Sequence, residues 1–273
     1  MGLIRTPWML QPQSPVSVDW SSSLLVDADF VLLGPHRFYN PAAKRALVHS
    51  LVPVSSGTGN GFGPIYSTAT REYISFLEPV ATGGTNDWTL AGVFMPTGAL
   101  TNAANENGQA VVGTCELPGS ATRDRSIIQS SGKWAAHKSD GVARIAVSTF
   151  APTVGRTDII VVVSKTTTIT ISVNNEPAVS VSSSNNGHNA YATAEFVVGN
   201  ASSIAQIGGV AIPLLIRARK AWSVSDQALF FANPWQIFRA PPSRKWTGVS
   251  VATGFKAAYA RGSNSVINTG ITR

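Results

Sequence analysis

The sequence predicts an all-β fold: an antiparallel β-sandwich over roughly residues 20 to 240, with one short helix towards its C-terminal end. Three observations predict it. Apolar residues alternate with Thr and Ser in run after run, the period of a strand with one buried face. The runs are separated by turn residues, with 24 Gly and 16 Pro in 273 residues. A single stretch, "RKAWSVSDQALFFANPWQIF" (Arg219 to Phe238), instead carries helix start and stop signals.

The elements run in chain order. Residues Met1 to Asp19 hold Pro7, Pro12 and Pro15 with little periodicity and read as an extended arm. Asn40 to His49 is a candidate second helix, with Asn40 as N-cap and Pro41 at the first helical position. "EYISF" (Glu72 to Phe76) and "DWTLAGVFM" (Asp87 to Met95) come after Gly-rich turns. In the second run Trp88, Leu90 and Phe94 oppose Ala91, Val93 and Met95, so both faces are apolar, as in a central strand covered on both sides. "TDIIVVV" and "TTTITISV" form a pair, and in the latter Ile169, Ile171 and Val173 alternate with Thr168, Thr170 and Ser172. Asn174 and Asn175 supply a turn, since Asn tolerates positive φ. "PAVSV", "AEFVVG" and "AIPLLIRAR" complete the strands. Ser223 then caps the helix with Asp226 three residues on, and Asn233 ends it because the residue before Pro234 is pushed out of the α region. Trp222, Phe230 and Phe231 are its apolar anchors, and Trp235, Ile237 and Phe238 form a strap behind it.

Composition narrows the classes of function. Charged residues are only 13% of the chain, against about 25% in an average domain, so Ser, Thr, Asn and Gln must furnish the polar surface. No run approaches the ~18 apolar residues of a membrane span, and the first residues lack the apolar core of a signal peptide. "MGLIRT" fits the myristoylation pattern only weakly. The lone Cys115 excludes an internal disulfide framework and reads as a small buried hydrophobe. From Arg217 onward nine basic residues face one acid, Asp226, while the whole chain carries +7. The charge is therefore concentrated at the C-terminal end, which is either an acidic-partner surface or a solvated basic face.

The helix and the segment after it carry a resemblance. "AWSVSDQALFFANPWQIF" is similar to the closing segment of laminin G-like, concanavalin A-like jelly rolls of tailed bacteriophages, a pattern of Leu-Ser, an acid, a helix and Asn-Pro-Trp-Gln. Ser223, Asp226, Asn233, Pro234, Trp235 and Gln236 match, whereas Trp222 stands where Leu is usual. "RTPWMLQPQSPVSVDW", "DWTLAGVFMP" and "DIIVVVSKTTTITISVNNEPAVSV" resemble the opening, an early core strand and a hairpin of the same group, with Asn175 in place of its Gly. The likeness covers about residues 1 to 240. It implies a concanavalin A-like jelly roll and a non-catalytic structural or accessory protein of the virion, attached to capsid or tail and assembled in the host cytoplasm. The other class it leaves open is an adhesin that binds a cell-surface glycan on the host.

Catalytic patterns are not found. Glycoside hydrolysis needs two carboxylates about 5 to 10 Å apart, and glucanases of this fold carry Glu-x-Asp-x-Glu on one strand. The nearest pair here, Asp27 and Asp29, has no third acid, and reads as acids bordering a turn or strand edge. The four His have no metal-ligand spacing, so neither a metal nor any other cofactor is expected, and His36 and His49 read as surface or core residues. "GTGNGFG" lacks the register and lysine of a phosphate loop. No nucleophile motif surrounds a Ser or Cys115.

Two stretches pair rings with amides and carboxylates as sugar sites do: Ser130 to Gly141, with Trp134, His137 and Asp140, and Ser182 to Tyr191, with Asn185, Asn186, His188 and Tyr191. The plainer reading packs Trp134 in the core and makes the Asn-rich stretch turn chemistry. The two ends are candidates for docking onto an acidic, repeated protein surface, or onto another copy of the chain. Trp8, Met9 and Leu10 serve in the arm, and Arg244, Lys245, Trp246, Lys256, Tyr259 and Arg261 in a basic tail from 241 to 273. The alternative folds both ends back over the sandwich. The tail lacks regularly interleaved aromatics, which disfavours nucleic acid as its partner.

Overall fold

The computed structural model describes residues 17–33, 37–39, 47–50, 65–66, 73–78, 87–97, 110–115, 123–139, 143–183, 194–199 and 210–239. Its strands are β1 (Ser17–Val18), β2 (Ala28–Leu33), β3 (Arg37–Tyr39), β4 (Leu47–Ser50), β5 (Ile65–Tyr66), β6 (Tyr73–Glu78), β7 (Trp88–Pro96), β8 (Ala110–Cys115) and β9 (Arg123–Ser130). They continue as β10 (Lys133–Ser139), β11 (Ala143–Val147), β12 (Asp158–Lys165), β13 (Thr168–Val173), β14 (Val179–Ser182), β15 (Ala194–Gly199), β16 (Val210–Ala218) and β17 (Phe238–Arg239). One α-helix, α1 (Val224–Ala232), lies between β16 and a short 3-10 turn at Pro234–Ile237.

Among the described residues the strands build two large antiparallel sheets and a two-stranded ribbon of β1 and β17. The first has the order β11-β10-β9-β8-β15-β6-β4, the second β14-β13-β12-β7-β16-β2-β3 with β5 beside β16. Their facing surfaces enclose one core, in which Phe30, Leu90, Phe94, Trp134, Ile160, Ile171, Phe196 and Leu215 meet. This is the all-β sandwich with one C-terminal helix that the alternation predicts. One expectation fails: the end of the proposed second helix, Leu47 to His49, is strand β4, while residues 40–46 lie outside the described residues. A Pro at the first helical position favours a helix start, but pairing of Leu47–Ser50 with β6 satisfies its backbone instead.

A second core lies on the outer face of the second sheet. Ala91 and Val93 of β7, Ile159, Val161 and Val163 of β12, and Leu214 and Ile216 of β16 point away from the sandwich interior. Trp222, Phe230, Trp235 and Ile237 cover them. α1 is thus a lid over a sheet face. Its start carries the capping box that the sequence shows: Asp226 N–H donates to Ser223 Oγ (3.1 Å) and Ser223 N–H to Asp226 Oδ2 (3.1 Å). The Asn-Pro-Trp-Gln segment ends it. Trp235 N–H donates to Asn233 Oδ1 (3.1 Å), and the Gln236 amide donates to Leu229 O (2.7 Å) and Asn233 O (3.0 Å), satisfying carbonyls at the helix end. Thr89 pins the incoming chain: its hydroxyl donates to Lys220 O (2.7 Å) and accepts from Trp222 N–H (3.0 Å).

The end of the arm is tied down as well. Ser17 and Val18 pair with Arg239 and Phe238, and Asp19 N–H donates to Ile237 O (2.7 Å). Pro213 sits within central strand β16, where a missing N–H would normally break the ladder. The register with β7 shifts between Ala211 and Leu214, so Pro213 occupies a bulge. Just past the bulge, Gly92 pairs with Leu215 and has no room for a Cβ, which would lie 2.7 Å from Leu214 O. At the far end Asn174 and Asn175 turn at φ 52° and 63°, values that Asn tolerates without the usual Gly.

If α1 is an integral cover, truncating its buried anchor is severe. Phe230→Ala is expected to cost about 3–5 kcal/mol, and Val224→Ala on the exposed side less than about 0.5 kcal/mol, both read by urea denaturation.

Candidate functional site

The sequence candidates separate on inspection. Ser130 to Ser139 is no loop: Ser131 and Gly132 form a two-residue turn at φ 50° and 71° between β9 and β10. Trp134 is fully buried between the sheets, its indole N–H donating to Asp158 Oδ2 (2.8 Å), with Phe94 at 5.8 Å between ring centroids. It has no face to offer a sugar. His137 is also buried, next to Ser126, so it is corrected in the same way. The reason is the β10 alternation, which turns Trp134 and Ala136 into the sandwich core and Ala135 against Ile128 on the other side. Asp140, Asn185, Asn186, His188 and Tyr191 lie outside the described residues, as do Trp8, Met9, Leu10, Arg244, Lys245, Trp246, Lys256, Tyr259 and Arg261.

Aspartate, arginine and lysine side chains are buried in three places among the described residues. Asp29 is held by two guanidinium groups. Arg217 donates to it bidentately, Nε to Oδ1 at 2.8 Å and the terminal nitrogen to Oδ2 at 2.9 Å, and Arg219 Nε donates to Oδ2 at 2.8 Å. Arg217 also stacks over Phe196 of the first sheet, 4.3 Å from its centroid. Burial alone would push the Asp29 carboxyl up, but the two arginines together outweigh it and hold the group below its ordinary value. Asp27, by contrast, sits in a tight turn at φ 59°, its carbonyl accepting from Arg219 N–H (2.9 Å). The two acids do different structural jobs. Asp158 moves the other way: burial raises it despite hydrogen bonds from Trp134 and Asn174. Lys138 is buried at the rim, where its ammonium donates to Ser183 Oγ (2.9 Å) and Lys165 O (3.2 Å).

Among the described residues a groove of about 380 Å³ opens between α1 and the outer face of β13. Its floor is the polar face of β13, where Thr168, Thr170 and Ser172 stand in a row. One wall is the helix, with Val224, Gln227, Ala228 and Phe231, and Trp222 lies at its base. Lys165 and Glu176 stand at the two ends of β13. Among the described residues no group of three His, Cys, Asp or Glu side chains is placed to hold a metal ion. No helix among them is long and apolar enough to cross a membrane.

No protein-family model and no curated protein sequence matches the chain. Solved structures do share the fold. The receptor-binding domain of botulinum neurotoxin D matches with a TM-score of 0.53 at 10% identity, over 75% of this chain and 52% of that one. The binding domain of Paraclostridial Mosquitocidal Protein 1 matches with a TM-score of 0.52 at 10% identity, over 75% and 52%. A structure of botulinum neurotoxin type C, which enters cells in dependence on two ganglioside molecules, matches with a TM-score of 0.53 at 8% identity, over 75% and 50%. The chain therefore spans about half the length of these structures. At such identities the likeness is one of fold.

The Asp29 cluster sets a pH dependence. Its folded value lies below the ordinary 3.8, so its stabilisation is complete above that value and is lost as pH falls through the lowered one. Asp29→Asn is expected to cost about 3–5 kcal/mol near neutral pH by leaving Arg217 buried without its carboxylate. In urea titrations the gap between variant and wild type should narrow on acidification below 3.8. A gap independent of pH would contradict the assignment.

Proposed function

We propose that the chain is a non-catalytic recognition module that binds a cell-surface glycan. The observation that carries the reading is the sandwich it shares with the receptor-binding domain of botulinum neurotoxin D and with a structure of botulinum neurotoxin type C, whose cell entry depends on two ganglioside molecules. Fold does not choose function by itself, and the placement of the acids adds to it. The carboxylates of Asp29, Asp158 and Asp226 accept from Arg217, the Trp134 indole and the Ser223 N–H of the helix cap respectively, so these three are spent on structure. Retaining or inverting hydrolysis needs a free facing pair instead.

A second reading makes the chain an accessory protein of a phage virion. It rests on the residues Ser223, Asp226, Asn233, Pro234, Trp235 and Gln236, whose pattern resembles phage jelly rolls and whose side chains cap and close α1. In that reading the terminal segments dock the sandwich onto other virion proteins. The two readings differ in one observable. On an array of bacterial and animal surface glycans the recognition module is expected to bind a restricted set of sugars and to leave them uncleaved. Uniformly absent binding would favour the accessory protein, and cleavage of a bound sugar would overturn both.

A further inference from the structure

We infer that the groove between α1 and β13 is where the sugar lies, and that it takes a neutral oligosaccharide with the Trp222 indole N–H as a hydrogen-bond donor at its base. This rests on the glycan-recognition reading and gives it a site and a ligand class. The sheet outgrows its lid: α1 covers β7, β12 and β16, while β13 and β14 extend past the helix at the sheet edge. At that step the outer face changes from valine and isoleucine to hydroxyls. Thr168, Thr170 and Ser172 alternate on one side of β13 and so stand about 6.6 Å apart, a row of roughly 13 Å.

The chemistry of the lining selects the ligand. Thr170 shares a hydrogen bond with Ser180 (2.8 Å), and Ser172 donates to Glu176 O (2.8 Å). A hydroxyl has one donor and two acceptor lone pairs, so the half-buried Thr170 can still accept from a ligand hydroxyl, whereas Ser172 is buried behind the row. The facing wall is apolar and wet: Val224 is 83% exposed, Ala228 is exposed and Phe231 is half-buried. A pyranose ring presents the same combination, an apolar C–H face and a rim of hydroxyls. Lys165 and Glu176 are opposite in sign, which favours a neutral chain over an anion. The floor also presents side chains rather than free strand backbone, which disfavours an extended peptide.

The second observation is an orphan donor. Trp222 lines the groove and is 1% exposed, yet its Nε1–H meets no acceptor among the described residues. A buried indole N–H without a partner is destabilising by about 1–3 kcal/mol. Such donors ordinarily find an acceptor. The nitrogen itself is closed off in the unliganded groove, so the oxygen of a bound sugar supplies the acceptor only as the side chains around the indole move apart.

The test observes the indole itself. The full chain is labelled with nitrogen-15, and the Trp222 indole signal, one of seven, is assigned by its absence in Trp222→Phe. Cellohexaose, maltohexaose and a galactan hexaose are then titrated, with a sialic acid oligomer as the anionic comparison. The expected result is a saturable shift of the Trp222 signal with a neutral hexaose. Trp222→Phe should weaken that sugar roughly 3- to 10-fold, the worth of one hydrogen bond. Ala228→Arg, at an exposed position, should fill the groove and abolish binding while leaving the fold intact. A hexaose that binds Ala228→Arg as tightly as wild type, or that leaves Trp222 unmoved, overturns the groove and spares the recognition reading. A shift with the sialic acid oligomer alone overturns the neutral class. Binding of no sugar, here or on the array, overturns the groove and the reading together.

Discussion

Three adjacent strands that are apolar on both faces impose the main constraint on this molecule. β12, β7 and β16 lie side by side, and every described residue of β7 and β16 is buried. One face of such strands is satisfied by the opposing sheet. The other would leave Ala91, Val93, Val161, Leu214 and Ile216 in water, at roughly 25 cal/mol per Å² of apolar surface. The chain meets this by ending the sandwich with a helix and a strap that run back across that face. The capping box, the amide of Gln236 and the Thr89 bridge are the polar devices that keep the cover in register. The one α-helix among the described residues is therefore a consequence of the strand composition.

The same constraint decides where polar groups sit. Between the sheets, charge is admitted only with partners, as in the Asp29 carboxylate gripped by Arg217 and Arg219 and the Arg217 plane stacked on Phe196. Trp134, buried by its place on an inward register, uses Asp158 as its acceptor. Trp222 is buried by the lid and has no acceptor among the described residues, and it lies where the lid stops and the hydroxyl face of β13 begins. The edge of the cover is thus the one place where burial, an unmet donor and open polar surface coincide among the described residues.

Much of this was legible in the sequence, and the reasons are local. The helix, its cap and its stop are written in Ser223, Asp226, Asn233 and Pro234, whose signals act over a few residues. The double burial of β7 shows between Trp88 and Met95, where both alternating faces carry apolar residues. Less legible was anything that depends on which strands become neighbours. Asp29 and Arg217 are 188 residues apart, and nothing near either one announces the pair. Trp134 resembled a sugar platform because a ring beside Gly, His and Asp looks alike in a loop and in a hairpin; only the pairing with β9 and β11 shows it facing inward. The groove escaped notice for a similar reason, since it joins β13 to a helix that begins 51 positions after Val173 and becomes adjacent only once the lid folds over. The segment from Asn40 read as a helix because capping signals are local, whereas the β4–β6 pairing that makes its end a strand is not.

Hydrogen exchange under native conditions tests the central claim, that the helix and strap are part of the sheet's core and not an appendage to it. The measurement is the opening free energy of individual amides in α1 compared with those in β7, β12 and β16. The protected amides of α1 are expected to share the opening free energy of those strands and to respond to urea with the same slope, as one cooperative unit. Exchange of α1 through a separate, low-energy opening that leaves the three strands fully protected would contradict it.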